Sequence, residues 1–499
     1  MAADDGSALS LPDLLRRRAE RSPQSLALQA AGAEVTYAAL DHLAARAAGS
    51  LRAAGVAPGD RVAVLLQDPL AFAVLWHALW RLGAAIVPLN TRLAGAELES
   101  ELRDAAPRLF IAGGRHRPLA QALAERLALP VWLLPDGGQG PDPLAAGPAA
   151  APCRAEPDAA AAIVYTSGTT GAAKGAILTR GNFFHAAVTS AMGLGALPDD
   201  RWLLCMPLFH VGGLSILVRS ALFGGAVLAH SGFAVDAVRR GLEEDGATCI
   251  SLVPVMLGRL LEAKVSPPAQ LRFALLGGSA APGDLIRRGL DAGWPLASTY
   301  GLTETASQAA TLPPADAPGR VGSAGRPLFL TEIRIAVDGR DAAPGEPGEI
   351  LVRGPTVSPG YLNGPPGGER RTPDGFLRTG DLGYLDDDGY LYVLDRRDDL
   401  IVSGGENIYP AEVEAALRQH PGVSDAAVFP RADAVWGQVP IAAVVPRSGS
   451  ELAAEDLLAF LRGRLARYKV PQEIRFVADL PRNAAGKLVR RALREGDGR

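Results

Sequence analysis

The densest chemistry in the chain lies between Tyr165 and Gly175, in the segment YTSGTTGAAKG. Thr166, Ser167, Thr169 and Thr170 supply hydroxyls, Gly168 and Gly171 leave backbone N–H groups bare, and Lys174 stands just beyond them. A loop of this composition offers consecutive donors and a point charge to an anion, so a polyphosphate is its natural guest. It is not a Walker A loop: Ala173 precedes Lys174 where that motif needs glycine, and Gly175 follows where it needs Ser or Thr. Taken alone, the segment reads equally well as an ordinary glycine-rich turn. Two other chemistries find no support. There is no G-x-S-x-G elbow for a serine hydrolase, and the three cysteines, Cys153, Cys205 and Cys249, form no CxxC pair for zinc.

The elements that must position this loop follow from hydrophobic spacing. Leu40, Leu43, Ala44, Ala47 and Leu51 recur at helical intervals before Gly55 and Pro58-Gly59, and the apolar run Val62 to Leu66 then reads as a buried strand. The alternation repeats through a helix ending near Leu82, strands at 84–89, 108–112 and 131–134, and a helix at 98–105. Further strands are expected at 161–166, 202–206, 248–253 and 273–276, each running into a Gly or Pro turn. An α/β layered body is implied. The stretch from Pro135 to Asp158 is nearly all Gly, Pro and Ala, and a plain surface loop is expected there. After Asp395 the character changes: a helix opening at Pro410, strands at 426–429 and 441–445 and an amphipathic helix at 457–465 predict a separate small α+β domain.

Composition narrows the function classes. Lys plus Arg number 50 against 54 Asp plus Glu, and a formal charge of -4 on 499 residues provides no basic field for nucleic acid. The apolar stretch from Leu75 to Leu89 is broken by His77 and Arg81, so no membrane span is expected. The acidic start MAADDGSALS lacks the features of a secretory signal, and unpaired cysteines suit a reducing compartment, so a cytoplasmic location is expected.

YTSGTTGAAKG closely resembles the phosphate loop of the adenylate-forming superfamily, which includes acyl-CoA synthetases, luciferases and peptide-synthetase adenylation domains. Further motifs follow in that family's order: PLFHVGG at Pro207 to Gly213, LLGGSA at Leu275 to Ala280, TYGLTET at Thr299 to Thr305, the long block from Arg378 to Glu414, and PRNAAGK at Pro481 to Lys487. The resemblance covers essentially the whole chain. It implies a large layered α/β domain over 1–394 and a small mobile α+β lid over 395–499. The implied reaction joins a carboxylate to ATP as an acyl-adenylate, releasing pyrophosphate, after which a thiol displaces AMP. ATP, Mg2+ and coenzyme A would be used.

The resemblance also assigns residues. Lys487 matches the lysine that bridges the substrate carboxylate and the α-phosphate, a pairing worth roughly 4 kcal/mol at 4 Å and an effective dielectric near 20, before desolvation. Glu304 matches the magnesium-holding glutamate and Thr303 a phosphate contact; Thr303 is also a plausible helix cap, and both roles could hold together. Tyr300 would lie against adenine, with Gly278, Ser279 and Ala280 along its edge, and Gly301 would belong to the same ATP site. Asp381 would accept the ribose hydroxyls, helped by Arg396. Asp395 would be the hinge, and Ser403, Gly404 and Gly405 would pass the pantetheine arm. His210 matches an aromatic gate at the acyl site.

Within the superfamily, the segment from Trp202 to Gly225, together with SAMGLG at Ser190 to Gly195 and YGLTETASQ, most resembles the o-succinylbenzoate-CoA ligases of menaquinone biosynthesis. That likeness sets Arg219, a cation in the apolar run Leu214 to Phe223, against the unreacted carboxylate of an aromatic dicarboxylic acid. The competing reading is a helix-end arginine reaching solvent or an acid. A medium-chain or aryl acyl-CoA synthetase and a nucleotide-binding protein without catalysis remain alternatives. A homodimer is compatible with the sequence.

Overall fold

The computed structural model describes residues 10–135, 142–154, 156–166, 173–364, 370–396, 399–403, 406–433, 436–462, 464–465, 467–482 and 488–495. Four sheets organise the chain. In the first, strands Val131–Leu133, Leu109–Ala112, Arg61–Leu65, Ala85–Pro88 and Ala160–Thr166 lie side by side and parallel, and Lys174–Thr179 folds back antiparallel at the edge. The second has nine strands. Its parallel centre runs Leu296–Tyr300, Phe273–Leu276, Cys249–Leu252, Arg201–Leu204, Ala226–Ala229 and Leu26–Ala30, with antiparallel strands at both edges.

The main core joins these two sheets through helices Tyr37–Ala53, Pro69–Leu82, Arg180–Leu194 and Val211–Phe223. The helix Pro69–Leu82 shows how local signals set an element. Asp68 Oδ1 accepts from the backbone N–H of Leu70 and Ala71, Pro69 opens the first turn, and Gly83 closes the helix at φ 79°. Its apolar run leads into the buried strand Ala85–Pro88, so the stretch that mimicked a membrane segment is interior helix plus strand. Among the described residues, no helix is long and apolar enough to cross a membrane. The interrupting Arg81 is buried too, held by Asp13 at 2.6 Å and by Asp41. A charge in that position is tolerable only because it is paired.

The expected loop from Pro135 to Asp158 needs correction. Gly147 N donates to Ser50 Oγ at 2.7 Å, and Leu144 and Ala150 are buried. Small residues achieve this because backbone meets backbone: a methyl at Gly49 would lie 1.7 Å from Pro148 O.

A third sheet is wholly antiparallel, in the order Arg340–Asp341, Glu332–Val337, Gly348–Arg353, Leu377–Leu385 and Leu391–Arg396. A boundary at 394/395 therefore falls inside its last strand. The fourth sheet gathers Glu406–Ile408, Ile401–Ser403, Gly437–Pro446 and Val423–Asp433, with Glu473–Phe476 added parallel. Helices Pro410–Arg418 and Ala454–Arg462 supply residues to a separate core there, including Val413, Leu417, Leu457 and Leu461.

Candidate active site

In a parallel sheet, ligands collect where the strands end. Strand Ala160–Thr166 ends at the phosphate-loop segment, Phe273–Leu276 at Gly277 and Gly278, and Leu296–Tyr300 at Gly301. Gly278 has φ +79° and, with Ser279 and Ala280, is exposed, presenting backbone to solvent. Thr166 donates to Lys174 O at 3.4 Å across the base of the hairpin. Ser167, Gly168, Thr169, Thr170, Gly171, Gly404, Gly405 and Lys487 lie outside the described residues.

Tyr300 and Asp381, assigned to base and ribose, meet directly. The buried phenol donates to Asp381 Oδ2 at 2.8 Å, and Asp381 N donates to Thr379 Oγ1 at 3.0 Å. Gly380 between them has φ +72°, and a methyl there would lie 2.5 Å from Arg370 Nη2. The strand register pairs Asp381 with Arg396 and Leu382 with Asp395. Ser403 ends its strand buried, opposite Glu406 and Gly437.

Glu304 lies in the 3-10 turn Thr303–Thr305, and its side chain is only 9% exposed. Thr303 makes no side-chain cap. Thr305 does the local work instead, its hydroxyl accepting from Leu302 N at 2.9 Å. Glu304 Oε1 accepts from the phenol of Tyr361, while Oε2 accepts no hydrogen bond among the described residues. Tyr361 was not foreseen from sequence. Its neighbour Leu362 donates its N–H to Gly175 O at 2.7 Å, and the Lys174 ammonium stands 5.7 Å from its ring centroid. Burial, then the charge of Glu304, pushes the phenol's pKa well up, so it stays a donor. The readable signal was the Gly-Tyr pair after the strand Gly348–Arg353.

No group of three or more His, Cys, Asp or Glu side chains could hold a metal among the described residues. One carboxylate with an oxygen to spare fits Mg2+, which is commonly bound through one or two carboxylates together with substrate phosphates.

His210 and Arg219 sit on one helix. His210 is its N-cap residue, packed 4.7 Å from the Phe209 ring, with Nε2 buried and without a partner among the described residues. Burial lowers its pKa to about 4, so it is a neutral aromatic at pH 7. Further along, Arg219 is 5% exposed; Nη2 donates to Gln308 Oε1 at 2.6 Å, the guanidinium lies 5.0 Å over Trp202, and Nε has no partner among the described residues. Against the competing reading, Arg219 is buried and pairs with no acid among the described residues. Burial lowers its pKa to about 10, leaving it charged at pH 7.

Strands that end at Gly277 and Gly301, a buried carboxylate with an oxygen to spare and a tyrosine–aspartate pair, all on a layered α/β fold, are features that a nucleotide-activating enzyme would use. The family model "AMP-binding enzyme" matches residues 15–362, and "AMP-binding enzyme C-terminal domain" matches 412–487. The chain belongs to this AMP-binding, adenylate-forming family. It is 42% identical over 486 residues to 2-succinylbenzoate–CoA ligase of Bacillus licheniformis, covering 97% of this chain and 99% of the relative. Among solved structures, o-succinylbenzoate CoA synthetase of Bacillus subtilis with its acyl-adenylate intermediate superposes with a TM-score of 0.90 at 40% identity, covering 97% of this chain and 98% of that one. The same enzyme in complex with ATP and magnesium ion gives 0.88 at 40% identity, covering 97% and 100%.

Proposed function

We propose that the chain is an ATP-dependent o-succinylbenzoate–CoA ligase of menaquinone biosynthesis. In the first half-reaction a carboxylate oxygen of the acid attacks the α-phosphorus of ATP, and pyrophosphate leaves with the electron pair of the broken P–O bond. In the second the thiol sulfur of coenzyme A attacks the acyl carbon, AMP departs and the thiol proton is lost.

Drawing one anion onto another requires cations placed where charge accumulates. Lys174 would serve the transferred phosphates with the donors of Thr166, Ser167, Gly168, Thr169, Thr170 and Gly171, and Lys487 would bridge the carboxylate and α-phosphate. Glu304 would hold Mg2+, which when bound neutralises phosphate charge. Tyr300, Gly301, Gly278, Ser279 and Ala280 would bound the base, Thr303 a phosphate, and Asp381 with Arg396 the ribose. We assign 395–499 as a lid turning at Asp395, with Ser403, Gly404 and Gly405 along the thiol path and His210 as an uncharged gate. A cytoplasmic homodimer is part of this proposal.

The structural observation that carries the choice of acid is the buried Arg219, whose charge no carboxylate of the described protein compensates. A fatty-acid tunnel would gain nothing from it, whereas an aromatic dicarboxylate would supply the missing anion. Pyrophosphate release across a panel of carboxylic acids, with CoA present, tests this. o-Succinylbenzoate is expected to lead the panel by kcat/KM, and faster turnover of medium-chain or monocarboxylic aryl acids would overturn the assignment.

A further inference from the structure

Buried arginines ordinarily face a carboxylate, because an isolated buried cation is costly. Arg219 faces an amide instead. Gln308 is 1% exposed, its Oε1 accepts from Arg219 Nη2 at 2.6 Å, and its Nε2 donates to Thr311 Oγ1 at 2.9 Å. Thr311 in turn shares a 2.9 Å hydrogen bond with Thr299 Oγ1, and Thr299 Oγ1 donates to Ala310 O at 2.8 Å. The amide orientation is thereby set: oxygen toward the guanidinium, nitrogen toward Thr311. An acid lining the same cavity is already engaged. Asp200 lines the same cavity as Arg219, yet it is gripped by Arg272 at 2.7 and 2.8 Å, by Thr248 at 2.9 Å and by Leu197 N at 2.8 Å. The guanidinium also lies over Trp202, whose indole N–H donates to Ser251 at 3.1 Å, so the ring is fixed as well.

We propose that Gln308 is a specificity-determining residue: its neutral amide aims the Arg219 guanidinium while leaving the positive charge uncompensated, so that the bound acid must bring a second carboxylate. The inference rests on the o-succinylbenzoate reading and adds the device that enforces it. A glutamate would fit the same space and accept the same hydrogen bond, but it would neutralise Arg219 internally and repel the incoming anion. Selectivity at this site is therefore built by withholding a counter-ion as much as by providing a cation.

The test compares o-succinylbenzoate with 4-oxo-4-phenylbutanoate, which keeps the reacting carboxyl and lacks the aromatic one. Wild type, Gln308→Glu, Gln308→Met and Arg219→Ala are assayed for both acids, with KM for ATP measured alongside. In Gln308→Glu the ratio of kcat/KM for the diacid over the monoacid is expected to fall about 30-fold or more, carried by KM for the diacid, with KM for ATP within about twofold of wild type. Gln308→Met, which removes the aim but adds no charge, is expected to lower the ratio by less, about 3- to 10-fold. A Gln308→Glu ratio within about threefold of wild type, or an equal loss for both acids and ATP, would overturn the proposal; Gln308→Met supplies the decision if Gln308→Glu fails to fold. Failure of the wild type to use o-succinylbenzoate at all would instead overturn the reading beneath it.

Discussion

At the scale of single residues, the site is a set of side chains held ready by neighbours that do no chemistry themselves. Tyr361 is the clearest case. Its hydroxyl occupies one oxygen of Glu304 while its backbone neighbour is tied to strand Lys174–Thr179, so one residue couples the carboxylate we propose for Mg2+ to the strand that begins at Lys174. Tyr361→Phe keeps the ring and removes the donor. Because hydrogen bonds to a charged group are the strong ones, the Mg2+ concentration that half-saturates ATP binding is expected to rise about 3- to 10-fold, with KM for the acid unchanged. Calorimetric ATP titrations at graded Mg2+ would show this, and a curve superimposable on wild type would reduce Tyr361 to packing. Such residues were hard to read in advance for a physical reason. Glu304 lies within a contiguous motif, whereas the contact between Tyr361 and Glu304 exists only because two distant segments are brought together. Gln308 stood inside the motif YGLTETASQ, yet nothing local revealed that its partner would be Arg219.

One element organises much of the site. Strand Leu296–Tyr300, the turn Thr303–Thr305 and strand Ala310–Thr311 form a tight return that places Tyr300, Glu304 and Gln308 within a few residues of each other. The return is made by Ala306 at φ 53° and Ser307 at φ 112°, conformations that cost non-glycine residues energy and persist when the surroundings impose them. It closes directly beneath Gly301, where a methyl group would lie 1.7 Å from Ser307 O. Gly301→Ala must therefore push the turn away. A destabilisation of about 1–3 kcal/mol is expected, together with ATP affinity weakened at least about 10-fold, since Tyr300 and Glu304, which we propose to contact the base and the metal, flank this turn. Thermal unfolding and ATP titration on the same sample would check it, and wild-type ATP affinity in a folded variant would show the turn to be compliant. Elements of this kind were unevenly legible. Strands at 161–166, 202–206, 248–253 and 273–276 announced themselves as apolar runs ending in Gly or Pro, and each forms within two residues of its expected ends. The antiparallel sheet from Arg340 to Arg396 did not, because its strands mix polar and apolar residues and are joined through long-range pairing. The segment 142–150 misled for the opposite reason, since close packing there uses backbone where side-chain bulk was sought.

At the scale of the whole molecule, buried ionisable groups tie stability to pH in opposing directions. His77 lies inside helix Pro69–Leu82, and burial lowers its pKa from 6.5 to about 4. The unfolded chain therefore takes up a proton there first, and that part of the stability is lost as pH falls from about 6.5 toward 4. Glu101, in helix Gly95–Ala105, has the opposite sign. It is buried, its Oε2 has no hydrogen-bond partner among the described residues, and burial followed by the charges of Glu97 and Asp104 raises its pKa to about 7. The same helix end supports strand Ala160–Thr166, since the Tyr165 hydroxyl donates to Glu101 O at 3.1 Å and Asp104 Oδ2 at 2.7 Å. Below the unfolded value of 4.5 both states hold the Glu101 proton; above it the unfolded chain releases the proton while the folded protein keeps it, so stability is lost as pH rises through about 7. Glu101→Gln retains the shape and removes the titration. The variant should gain on wild type progressively between pH 4.5 and 7, reaching an advantage of up to about 3 kcal/mol by pH 8 relative to their difference at pH 4. Urea unfolding of both proteins from pH 4 to 8, followed by a probe of the large sheets, measures it. A difference that stays constant across that range would mean that the buried carboxyl titrates alike in the folded and unfolded chain, and that the support of strand Ala160–Thr166 is insensitive to its protonation.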